Sequence, residues 1–190
     1  VAIAGFTVLP IALRHWKSLN KAQWLWVSLI GTVGSFIPAI LFATAQTALP
    51  SAMAGMLNAL SPIWTLLIGM AAFGIAVQRN QLGGIAIGFA GTLWLIQAQQ
   101  SASMLSSEPS PSIFIPSLLL VIATVCYGIS VNITREKLRG LKSPVIAACS
   151  LGLVALPASF VFITGDIPHL IASHPDGLRG LAAVSVLAAF

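Results

Sequence analysis

Asn58, Ser61, Pro62 and Trp64 fall within one apolar stretch, where lipid offers an amide or a hydroxyl no hydrogen-bond partner. The chemistry these types support is recognition of a solute through hydrogen bonds and an aromatic surface, rather than bond making. Asn58 reads in two ways that both stay open. It is a substrate-facing amide, or an interhelical polar contact of the kind worth about 0.6 kcal/mol on average. Pro62 has no N–H for the Asn58 carbonyl four residues earlier. That carbonyl either faces a ligand or belongs to a plain kink relieved by Ser61 or a neighbouring helix. Trp64 lies too deep for an interfacial belt, so it packs or walls a cavity. Gln46 stands near one end of the preceding apolar segment, where it lines a vestibule or reaches water. A later apolar segment carries Thr124, Tyr127, Ser130 and Asn132. Tyr127 is its cavity candidate, while Asn132 is expected to be solvated near the segment's end. The candidate substrate-binding set is therefore Asn58, Ser61, Pro62, Trp64, Tyr127 and Gln46.

Other chemistries find no footing. Cys126 and Cys149 sit in apolar segments and read as small packing residues, with no disulfide framework. His169 and His174 share a loop with Asp166 and Asp176, but the spacing matches no zinc pattern, so no metal is expected. No phosphate-binding loop, dinucleotide fingerprint or nucleophile–base set is present, so neither an enzyme nor a cofactor is expected. The four acids, Glu108, Glu136, Asp166 and Asp176, lie outside or at the edge of the apolar segments. These segments therefore hold no carboxylate or histidine to carry a proton.

The elements that must position these groups follow from one fact. Ala22 to Gln78 contains no Asp, Glu, Lys or Arg. As one helix it would run about 85 Å, against a hydrocarbon core of about 30 Å. It must cross a membrane and return, and Thr47-Ala48-Leu49-Pro50-Ser51 marks the turn. Over the whole chain 57% of residues are hydrophobic and 7% charged, which places it in a bilayer. The pattern predicts a partial span over 1–13, complete spans over 23–47, 50–73, 82–96, 113–134 and 144–164, and a final partial span from 178. If successive spans reverse direction, eight of the nine basic residues fall on one side. The positive-inside rule makes loops 14–21, 78–81 and 135–143 cytoplasmic, with the protein in an inner or plasma membrane. The charge of +5 is thereby accounted for without nucleic acid. The expected partners are the lipid bilayer and a small-molecule substrate, and a homo-oligomer stays open. Gly84, Gly88 and Gly91 share one face and predict close helix packing, within the chain or between copies.

Val8-Leu9-Pro10 is echoed by Ala155-Leu156-Pro157, and the two loops that follow face opposite sides, the signature of an inverted repeat. Both chain ends fall inside apolar runs, which reads as an internal fragment.

The ordered set Thr44-Ala45-Gln46-Thr47-Ala48-Leu49-Pro50-Ser51-Ala52-Met53-Ala54, Leu60-Ser61-Pro62, Gly74, Gln81-Leu82-Gly83-Gly84, and Gly91 before Trp94-Leu95-Ile96 resembles the first repeat of the EamA-like family in the drug/metabolite transporter superfamily. Tyr127-Gly128, Arg135, Leu138, Gly140-Leu141 and Ser143-Pro144 resemble the start of the second. The resemblance implies an all-α integral membrane protein, a multi-span helical bundle forming part of a 5+5 inverted-repeat transporter fold. The fragment would run from helix two to helix eight of ten. It implies a first repeat over 1–100 lacking its first helix, an external linker over 101–112 and a truncated second repeat over 113–190. Family members often carry Glu after the glycine at Gly74; this chain has Ile75. The expected function is export of small uncharged or zwitterionic metabolites, such as amino acids, by alternating access. The rival reading is a non-transporting scaffold or sensor subunit.

Overall fold

The computed structural model describes residues 1–76, 80–88, 90–91, 94, 114–165, 180, 182–183 and 185–186. The helices are α1 (Ala2–His15), α2 (Lys21–Gly31), α3 (Ile37–Ala45), α4 (Ser51–Asn58), α5 (Ser61–Phe73), α6 (80–88), α7 (Phe114–Lys137) and α8 (Ser143–Thr164). No strand occurs among the described residues. Lys21–Ala45, Ser51–Phe73, Phe114–Lys137 and Ser143–Thr164 are long and apolar enough to cross a membrane. Each agrees with an expected span to within a few residues. The Ser/Pro linker, the loop holding the two histidines and most of the final span lie outside the described residues.

Contacts divide the chain into two compact units. The first comprises Val1–Phe36 and Lys137–Phe190; the second comprises Ile37–Glu136.

The first unit is built on small residues. An added Cβ at Gly5 would meet the Leu151 carbonyl at 2.5 Å and Ala155 at 2.6 Å. One at Gly31 would meet the Ser150 carbonyl at 2.6 Å. Backbones approach this closely only where side chains are absent or minimal. Asn20 starts α2 with a capping box: its Oδ1 accepts from Gln23 N at 2.8 Å, and Gln23 Oε1 accepts from Asn20 N at 2.9 Å. Pro38 has no N–H to offer the Gly34 carbonyl. The helix absorbs the mismatch as a π-helical turn over Thr32–Phe36, which joins α2 to α3.

The second unit holds the hairpin. Ala45, Leu49 and Ala54 at its tip pack with Leu120, bordered by Phe42, Met53, Leu57 and Leu119. The returning arm breaks between α4 and α5. Helix stops at Asn58, turns through Ala59 and Leu60, and restarts at Ser61 with Pro62 in the first turn. Gly74, at φ 61°, closes α5; its N–H and that of Ile75 both point to the Gly69 carbonyl. Helices α5 and α7 lie side by side and run the same way. Gly128 meets Trp64 and Thr65, and one turn later Asn132 meets Gly69.

Candidate functional site

Within the second unit a cavity of about 580 Å³ opens between α5, α6 and α7. Ser61, Pro62, Thr65 and Gly69 line it from α5, Gln81, Gly84 and Gly88 from α6, and Tyr127, Val131, Asn132 and Arg135 from α7. Its α7 wall follows helical spacing, with Tyr127, Val131 and Arg135 four residues apart and Asn132 beside them.

Asn132 is the most constrained polar group in this wall. It is 2% exposed, and its Nδ2 donates to the carbonyls of Thr65 and Gly128, each at 2.8 Å. Its Oδ1 lies 2.8 Å from where a Gly69 Cβ would stand. Glycine at 69 is therefore what allows the amide to lie against α5. The expectation that Asn132 is solvated is not met. Depth along α7 brings it near the helix end, but α5 covers it.

The break in the returning arm is satisfied locally. Ser61 Oγ donates to the Asn58 carbonyl at 2.7 Å and lies 3.2 Å from Asn58 Oδ1. The Asn58 carbonyl thus has a partner in place of the proline's missing N–H. Thr65 Oγ1 donates to the Ser61 carbonyl at 2.8 Å, which tightens the restart of α5.

Of the six residues singled out in the sequence, Ser61, Pro62 and Tyr127 line the cavity. Asn58, Trp64 and Gln46 are not among its described lining. Asn58 is exposed at the end of α4, and Gln46 is exposed at the hairpin tip. Trp64 packs over Gly128, with its Cβ 3.1 Å from where a Gly128 Cβ would stand. Its Nε1 is buried and has no hydrogen-bond partner among the described residues. Tyr127 stands with its ring 6.1 Å from that of Phe42.

Four polar wall residues escaped the sequence reading of the site: Thr65, Gln81, Asn132 and Arg135. A signal existed. Gly128, Asn132 and Arg135 follow one another at i, i+4 and i+7, so a bare backbone, an amide and a guanidinium share one face. Among the described residues an added Cβ at Gly84, Gly88 or Gly91 meets nothing within 4 Å, and Gly84 and Gly88 border the cavity. Ile75, where the family resemblance would place an acid, presents an apolar side chain to the same space.

The sequence model of the EamA-like transporter family matches residues 1–97, just over half of the 190-residue chain. The chain belongs to the EamA-like transporter family. No curated protein and no solved structure gave a match. Membership and the four membrane-capable helices make this a multi-pass, all-helical membrane protein of the drug/metabolite transporter type. The matched EamA-like region contributes the α5 and α6 walls of the cavity; the α7 wall lies beyond it.

Proposed function

We propose that the chain is part of an exporter of small zwitterionic solutes, amino-acid-like in chemistry, working by alternating access in a cell's inner membrane. The observation that carries this reading is the α7 wall. An amide (Asn132), a phenol (Tyr127) and a guanidinium (Arg135) line one cavity with apolar side chains, and no acidic residue is among its described lining. Such a wall offers a carboxylate the Arg135 fork, whose five N–H donors leave capacity for a ligand beside any protein contact. It offers an ammonium or hydroxyl the oxygen of Tyr127, while Asn132, buried against α5, holds that wall in place. A solute with a net negative charge of two or more would meet one cation only.

In this reading Ser61 and Pro62 shape the inner end of the cavity, Asn58 steadies Ser61, and Trp64 backs the wall behind Gly128. Gln46 belongs to the hairpin tip. Loops 14–21, 78–81 and 135–143 face the cytoplasm, and the repeats divide at 1–100 and 113–190 around a linker at 101–112. The cavity lies toward the Arg135 end of α7, and in this reading it is a cytoplasm-facing vestibule.

The test uses the full-length protein in vesicles loaded with labelled neutral amino acids. Efflux should exceed that of empty vesicles and fall at least tenfold in Asn132→Leu and Arg135→Gln. Equal efflux in the wild type and both variants refutes the site. Absence of efflux for every neutral amino acid, against efflux of another solute class, refutes the substrate.

A further inference from the structure

We infer that the first unit carries a binding site for the headgroup of an anionic phospholipid, formed where the basic segments 14–21 and 137–142 meet. This goes beyond the transport reading and does not depend on it.

Each segment has an aromatic contact with α2. Trp16 packs against Trp24, with ring centroids 4.3 Å apart and planes tilted by 46°, and Trp24 Nε1 donates to the Trp16 carbonyl at 3.3 Å. Two residues along α2, Trp26 lies under the ammonium of Lys137, 5.6 Å from its ring centroid. Lys137 is in turn five residues before Lys142, the cap of α8. Lys137 thus links the second segment to α2, whose first turn carries Lys21.

Both segments are fixed. In the first, His15 Nδ1 donates to the Ile11 carbonyl at 3.0 Å and Ser18 Oγ to the His15 carbonyl at 2.6 Å. The capping box holds Asn20, and Leu19 is buried. In the second, Leu138 is 2% exposed, Gly140 turns the chain at φ 94°, and Leu141 N donates to the Leu138 carbonyl at 3.2 Å. The result is a held array of exposed cations: Arg14, Lys17, Lys21, Lys137 and Lys142. Neither segment contains an acid, and Glu136 directly precedes the second. Orientation rules require only that basic residues lie on one side. They do not require two ordered loops that each rest on a tryptophan of α2.

The occupant that fits is a lipid phosphodiester. Four to eight cations beside a membrane helix attract anionic headgroups, each contributing about fivefold in affinity. The exposed face of Trp16 offers the acyl–glycerol boundary an amphipathic surface. A free phosphate would share the cations but have no use for that face.

The full-length protein in neutral detergent is titrated with dioleoylphosphatidylglycerol, dioleoylphosphatidylcholine or inorganic phosphate, and tryptophan fluorescence is followed. Phosphatidylglycerol alone should give a saturable change. Lys21→Gln/Lys137→Gln/Lys142→Gln should weaken it by about two orders of magnitude. The single variant Lys142→Gln, at the surface of the loop, should weaken it about fivefold and guards against a triple variant that misfolds. An equal response to phosphatidylcholine reduces the patch to an interfacial anchor and overturns the proposal. So does saturation by millimolar phosphate, or an unchanged affinity in Lys142→Gln.

Discussion

Asn132 reaches across from α7 and donates 2.8 Å to the main-chain carbonyl of Thr65 on α5, joining positions 67 residues apart. The same Nδ2 serves Gly128, so one amide ties its own helix to its neighbour. In hydrocarbon no water replaces such a bond. Asn132→Leu keeps the approximate volume and removes the donor. It should lower the thermal midpoint by a few degrees, consistent with about 1–2 kcal/mol for an interhelical hydrogen bond in membranes. Asn132→Asp keeps the shape and buries a charge, and should unfold the protein more readily than Asn132→Leu. A thermal scan of the three proteins decides. Equal midpoints would mean that the bond contributes nothing.

The glycines separate into two kinds. A methyl at Gly128 would lie 2.9 Å from the Thr65 nitrogen and 2.9 Å from the Trp64 carbonyl carbon. These are backbone atoms and cannot rotate away, so Gly128→Ala should push α5 from α7 and cost about 1–3 kcal/mol. A methyl at Gly84 meets nothing within 4 Å among the described residues. Gly84→Ala should leave the midpoint unchanged or raise it, through a helix preference of up to about 1 kcal/mol. It should also narrow the cavity and slow efflux of the larger solutes. A loss of stability in Gly84→Ala as large as that in Gly128→Ala would contradict this division.

The glycines also show where sequence reasoning reached its limit. Spacing at Gly84, Gly88 and Gly91 says that a close approach is permitted, not that a neighbour takes it. The close approaches occur at Gly5, Gly31 and Gly128 instead. Span lengths were legible because the bilayer fixes them, and the break at Ser61 was legible because proline cannot donate. The burial of Asn132 was not. Its depth along α7 can be counted from the sequence, but the helix that covers it is chosen by the packing of Gly69 and Gly128. The π-helical turn at Thr32–Phe36 also went unread, because Pro38 announces a defect without saying how the helix will absorb it.

Ser61 stands in for the helix bond that Pro62 cannot make. Ser61→Ala removes the 2.7 Å bond to the Asn58 carbonyl and should cost about 0.5–1.5 kcal/mol, with efflux reduced in proportion to folded protein. Asn58→Leu changes an exposed side chain outside the described cavity lining and should leave efflux per folded molecule unchanged. Efflux measured against the amount of folded protein separates the two effects. A specific loss in Asn58→Leu would return that amide to the substrate path.

Trp64 holds a buried indole N–H with no partner among the described residues. Such a group costs about 1–3 kcal/mol when it loses water and gains nothing. Trp64→Phe removes the donor and keeps an aromatic ring against Gly128, so the midpoint should hold or rise. Trp64→Ala leaves a void, should cost about 3–5 kcal/mol of stability and should lower the midpoint. A clear drop in Trp64→Phe would reveal that Nε1 does have a partner in the membrane-embedded protein.

Arg135 decides the charge of the solute. It lies one turn beyond Asn132 on the same face of α7, at the cavity wall. Its planar fork matches a carboxylate in a way an ammonium does not. A hydrogen bond to a charged group contributes about 1.5–3 kcal/mol, so Arg135→Gln should raise KM for a carboxylate-bearing solute roughly tenfold to a hundredfold. Arg135→Lys keeps the charge but loses the fork, and should fall between the two. The same variants should transport the matching amine, in which the carboxylate is absent, as the wild type does. This double comparison separates recognition from folding, because a misfolded variant would lose both solutes together. If KM for the carboxylate is unchanged in Arg135→Gln, the guanidinium serves the protein rather than the solute, and the substrate is an uncharged one held by Tyr127 and the apolar wall.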